Sequence, residues 1–103
     1  MSENVFVKSG RVLDILAPTV AATVTGAWMF KDAPKSSIQV VATAAATVVF
    51  DVSNDGVNAI ATTLGTVTLA AAGSDGFTTD APWKYIRARI TANSGTVNVL
   101  ICN

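Results

Sequence analysis

Histidine is absent from all 103 residues of this chain. That absence removes Ser-His-Asp and Cys-His nucleophile arrangements, together with zinc sites that rely on imidazole. Cysteine occurs once, at Cys102, so no intrachain disulfide can form. With no histidine to draw off its proton, this thiol reads as a small apolar residue on a terminal strand. Charge is sparse: seven basic and seven acidic residues leave a formal net charge of zero. No basic excess is available for phosphates, so nucleic acid is not an expected partner. Long apolar runs are missing too. The first residues carry Glu3, Lys8 and Arg11, and the apolar stretch after them is broken by Asp14 and Pro18. That pattern fits neither a secretory leader nor a membrane-spanning segment, so the expectation is synthesis in a cytoplasm without membrane association.

What the chain does have is Ala, Val and Thr in abundance, with 50% of residues hydrophobic. Val and Thr suit pleated, half-buried surfaces, and weak electrostatic self-repulsion suits membership of an assembly. Residues 81–101 carry the clearest local signal. Ile86, Ala88 and Ile90 alternate with Tyr85, Arg87 and Arg89. After Asn93-Ser94-Gly95, Val97, Val99 and Ile101 alternate with Thr96, Asn98 and Leu100. A period of two marks half-buried strands, and the pair reads as a β-hairpin with Gly95 at positive φ.

Shorter strand signals precede it. Val5–Val7 comes before a Ser9-Gly10 turn, Val12–Leu16 is closed by Pro18, and Val20–Thr25 is interrupted by Gly26. Ala27–Phe30 leads into a loop at 31–35. Ser37–Ala42 and Ala46–Ser53 form the clearest central pair, ending in the Ser53-Asn54-Asp55-Gly56 turn. Val57–Leu64 and Thr66–Ala70 read as one or two more strands, and Gly73–Asp80 as a polar loop. Helix is disfavoured by β-branched residues and glycines almost throughout. Roughly seven to nine short strands, with turns about every ten residues, predict an all-β chain. The expected fold is a single-domain antiparallel β-sandwich, jelly-roll-like. Residues 1–16 form an N-terminal arm or first strand, and residues 17–103 the sandwich domain.

Few residues point to chemistry. Asp51, Asp55, Asp75 and Asp80 could formally supply a carboxylate pair, but all lie in or beside turns, where Asp bonds local backbone. Asp51–Gly56 matches the first half of a calcium-binding loop, yet Thr62 stands where the bidentate Glu belongs. No catalytic residue, metal site or cofactor is therefore assigned, and a non-enzymatic role is expected. Trp28, Trp83 and Tyr85 are candidates for stacking on sugars, or for closing the end of a sandwich. Tyr85, Arg87 and Arg89 share an outward face that reads as a solvated surface, an interface patch or a ligand platform.

The run FDVSNDGVNAIATTLGTVTL, then APWKYIRARIT and SGTVNVLI, resembles small virion proteins of tailed bacteriophages. The positions carrying the likeness are Ser53, Asp55, Gly56, Pro82, Trp83, Ile86, Arg87, Ser94, Gly95 and Thr96. The resemblance implies a structural role, foremost a capsid decoration (cement) protein made in the host cytoplasm and seated on the virion's capsid surface. Its partner would be the major capsid protein, and a homotrimer is implied by the threefold positions such proteins occupy. The implied interface is either Tyr85, Arg87 and Arg89 or the Val12–Val24 segment, with Val12, Leu13 and Ile15 foremost. The alternative is a tail or fibre β-sandwich module that binds a host surface glycan.

Overall fold

The computed structural model describes residues 12–31 and 35–102. The expected Val5–Val7 strand, the Ser9-Gly10 turn and the middle of the 31–35 loop lie outside them. Among the described residues nine strands follow in order: β1 (Val12–Thr19), β2 (Val24–Thr25), β3 (Met29–Phe30), β4 (Ser36–Ala42), β5 (Ala46–Ser53), β6 (Gly65–Leu69), β7 (Gly73–Thr79), β8 (Tyr85–Asn93) and β9 (Val97–Cys102). Among the described residues there is no helix. The β-branched content that disfavours helix suits these strands.

The pairings are nested. β5 pairs with β6, β4 with β7, β2 and β3 with β8, and β1 with β9, all antiparallel. A single long ribbon, bent at the 54–64 loop and rolled up, produces this nesting. Pairing of β4 with β9 and of β5 with β8 then closes the roll into two sheets. The first runs β1-β9-β4-β7; the second runs β2-β8-β5-β6, with β3 also on β8. The expected β-sandwich is thus the observed fold.

Alternation decides which side chains meet between the sheets. β4 alternates buried and exposed along its whole length, burying Ile38, Val40 and Ala42. β8 buries Ile86, Ala88 and Ile90; β9 buries Val97, Val99 and Ile101; β5 contributes Val48, Phe50 and Val52. Phe50 is fully buried, and its ring meets that of Phe77 edge-on at 5.4 Å. Burying such a side chain contributes roughly 1.5–3 kcal/mol, so these inward rows dominate the favourable side of folding.

The structure corrects several sequence expectations. β8 and β9 do not form a hairpin with one another. β8 belongs to one sheet and β9 to the other, so 94–96 is an arch across the core. Two adjacent strands with one apolar face each can lie side by side or face one another, and alternation is the same in both cases. The 43–45 connection between β4 and β5 is a second arch, bonded to the first through Thr43 N–H to Thr96 O at 3.0 Å and Ser94 N–H to Ala45 O at 3.0 Å. Gly95 is needed there for close approach, since a Cβ would collide with Thr43 Oγ1 and lie 3.1 Å from Ala44 Cβ. Among the described glycines, positive φ belongs instead to Gly56, at 70°.

Gly73–Asp80 is not a loop but chiefly the edge strand β7, whose polarity reflects one open side. Val57–Leu64 is not a strand. Its backbone is tied back by Ile60 N–H to Val52 O and Leu64 N–H to Phe50 O, which press Ile60 and Leu64 onto the core. Val20–Thr25 shrinks to the two-residue β2. β1 runs through Pro18 to Thr19, because an edge strand can spare the missing N–H. It also spans position 16, at the expected boundary between arm and sandwich.

Candidate interaction face

The outward row of β8 is Tyr85, Arg87 and Arg89, and β5 brings a matching row against it. Register places Ser53 opposite Tyr85, Asp51 opposite Arg87 and Val49 opposite Arg89. Asp51, expected in the Ala46–Ser53 strand beside its turn, is an outward side chain of that central strand. On the other flank of β8, β3 sets Phe30 opposite Tyr85, and Trp28 just before it lies beneath Arg87.

Three charge-assisted hydrogen bonds organise this face. Asp51 Oδ2 accepts from Arg87 Nε at 3.0 Å and from Arg89 Nε at 3.1 Å, and Oδ1 accepts from Arg89 Nη2 at 3.2 Å. The two arginines cover the carboxylate so well that Asp51 is 3% exposed, although it points away from the core. Burial alone would raise its pKa. The hydrogen bonds from Arg89 and Arg87 outweigh that and hold the carboxyl below the usual carboxylate range. The bond to Asp51 likewise raises the pKa of Arg89.

Aromatic rings frame the arginines. The Arg87 guanidinium carbon lies 4.5 Å from the centroid of the Trp28 ring, a cation–π stack. Phe30 and Tyr85 meet edge-on at 5.6 Å, and Phe30 is 53% exposed. Tyr85 rests against Gly56, where an added Cβ would approach the ring to 3.2 Å. The turn beneath it is built by Ser53, whose Oγ accepts from Asp55 and Gly56 N–H and donates to Asp55 Oδ1. Asp55 also accepts from the backbone of Val57 and Asn58. These bonds, that from Ser53 first, hold its carboxyl far below the normal range. Lys31 fastens the far end, donating from Nζ to Ala81 O at 2.9 Å; burial lowers its pKa against the pull of Asp80.

The structure thus joins Tyr85, Arg87 and Arg89 into one face and adds Asp51, Trp28 and Phe30. It does not join Val12, Leu13 and Ile15. Val12 is 62% exposed on β1, Leu13 is half-buried against the core, and Ile15 is a core residue, closed to a partner. Trp83 is half-buried and packs against the core. Among the described residues no group of three or more acidic or cysteine side chains gathers in metal-ligating range. Trp28 and Asp51 were missed as partners of Arg87 because strand order, not local sequence, brings them there. The available signal was alternation: with Phe50 inward, Asp51 faces outward, on the side where a neighbouring strand can set an opposite charge beside it.

No protein-family model and no curated protein matches the sequence. Among solved structures, the fold is similar to the crystal structure of the SPBc2 prophage-derived protein YomS, with a TM-score of 0.72 over 90% of each chain at 8% identity. That likeness is one of fold.

Proposed function

We infer that the chain is a non-enzymatic structural protein of a tailed-phage or prophage particle, and within that class a capsid decoration protein. The observation that carries this reading is the β8-sheet face: rings and arginines, locked in place by a buried carboxylate, on the outside of a rigid sheet. Tyr, Trp and Arg are the residues that anchor protein interfaces, and anchors fixed in advance cost less entropy on docking. The fold shared with a prophage-derived protein supports the particle setting. So does the strand order. With β2 and β3 taken as one interrupted strand, we read the nested pairings as an eight-stranded jelly roll, an architecture common in viral capsid domains. The partner on this reading is the major capsid protein, the location is the outer shell, and the working assembly is a homotrimer.

A direct test is to purify particles from the phage or prophage that encodes the chain. Peptide mass spectrometry and immunogold labelling should find it on capsids in regular stoichiometry. Recovery with tails or fibres alone would favour the second reading, a module binding a host glycan. Trp28, Phe30 and Tyr85 on one face are what favour that alternative. The rings of Phe30 and Tyr85 stand 75° apart and Arg87 covers Trp28, an arrangement poorly suited to a flat sugar platform.

A further inference from the structure

We propose that the β8-sheet face captures a single carboxylate of a partner protein, held end-on by the two terminal nitrogens of Arg87. This rests on reading that face as a protein-binding surface. The two arginines use Asp51 unequally. Arg89 grips it side-on through Nε and Nη2, whereas Arg87 uses Nε alone. Among the described residues no acceptor engages Nη1 or Nη2 of Arg87. The stack on Trp28 fixes the plane of the guanidinium and shields one face of it without satisfying any N–H. A planar fork with its orientation fixed and its outer pair of donors unspent matches a carboxylate, which accepts two parallel bonds.

Charge points to the same occupant. Among the described residues, the Arg87–Arg89–Asp51 cluster sets two guanidinium groups on one carboxylate, and the positive charge left over in it is balanced by a single further carboxylate. A polyanion would find only these two cations along the outward row of β8, which is otherwise Tyr85 and Thr91. Beside the fork stand Phe30, 53% exposed, and Tyr85, which provide apolar contact for the residues flanking the acidic side chain. The Arg87 side chain is 23% exposed, enough to be reached and little enough to be desolvated on contact.

The test uses particles of the encoding phage or prophage with this gene deleted, either untreated or with surface carboxylates amidated by carbodiimide and glycinamide. Wild-type protein should bind untreated particles, and amidation should weaken it about tenfold or more, as expected for loss of a bidentate charged pair. Arg87→Gln should bind as weakly as wild type binds amidated particles, and should itself be indifferent to amidation. Arg87→Lys, a point charge without the fork, should not restore binding. Circular dichroism establishes that the variants fold, and the amidation arm needs only the native chain. Binding that survives amidation, or that is removed instead by periodate oxidation of glycans, overturns the carboxylate proposal alone. Failure of the wild-type chain to bind untreated particles overturns the protein-binding reading, and this proposal with it.

Discussion

Replacing Asp51 with asparagine removes one charge and almost no volume from the centre of the interaction face. The carboxylate accepts three hydrogen bonds, at 3.0, 3.1 and 3.2 Å, from two guanidinium groups. Bonds to charged groups contribute roughly 1.5–3 kcal/mol each, but their sum would overstate the cost. Asparagine keeps one acceptor oxygen, and the Arg87 and Arg89 side chains, 23% and 35% exposed, rehydrate when released. A net loss of about 2 kcal/mol is expected, a fall in Tm of about 8–16 °C for a domain of this size. The pH dependence isolates the charge. The Asp51 carboxyl lies below its usual range in the fold. Its contribution is therefore complete above the unfolded-chain value of about 4 and fades as pH falls through the folded value. Thermal melts of both proteins should differ most near neutrality and converge below about pH 4. Asp55 titrates in both and cancels. A variant that melts within about 2 °C of wild type at pH 7, or a gap that widens on acidification, would refute the clamp.

Four further outcomes follow from the fold and its proposed assembly. Gly76→Ala places a methyl group against the Ile38 carbonyl, so urea denaturation should show a loss of about 2 kcal/mol or more. Gly73→Ala, with nothing within 4 Å of its Cβ, should stay within about 0.5 kcal/mol of wild type. Ser53→Ala strands the N–H groups of Asp55 and Gly56, and should cost about 1–2 kcal/mol with faster amide exchange at both positions. For the proposed trimer, light scattering on the purified chain should give three times the monomer mass, and a concentration-independent monomer would count against it.

The strands were largely legible and their neighbours were not. β4, β5, β8 and β9 each repeat apolar residues with a period of two, which defines a strand and its buried face. The same pattern is silent on whether the next strand lies beside it or across the core, so the β8–β9 arch reads as a hairpin. β7 was illegible for a different reason. An edge strand buries little, and of GSDGFTT only Phe77 supplies a large apolar contact, packing on Phe50. The 57–64 segment misled in the opposite sense. It carries apolar residues, but its bends press Ile60 and Leu64 inward while Val57 remains 73% exposed.

The same distinction explains what could be read of the face. Tyr85, Arg87 and Arg89 were visible because they lie on one strand, and alternation alone sets them on one side. Asp51 is 36 residues from Arg87 in sequence, and only the β5–β8 register unites them. That register is imposed by the core, not by the ion pair. A one-residue slip would turn one strand's inward row outward, Phe50 on β5 or Ile86 on β8, at a cost exceeding what the clamp contributes. The inward rows therefore determine the outward ones. The sandwich core aligns β5, β8 and β3, and that alignment delivers a carboxylate, two arginines and a tryptophan to one spot. A face so dependent on packing should keep its geometry when a partner docks. Its affinity should then respond to the chemistry of the partner's matching group more than to any rearrangement of this chain.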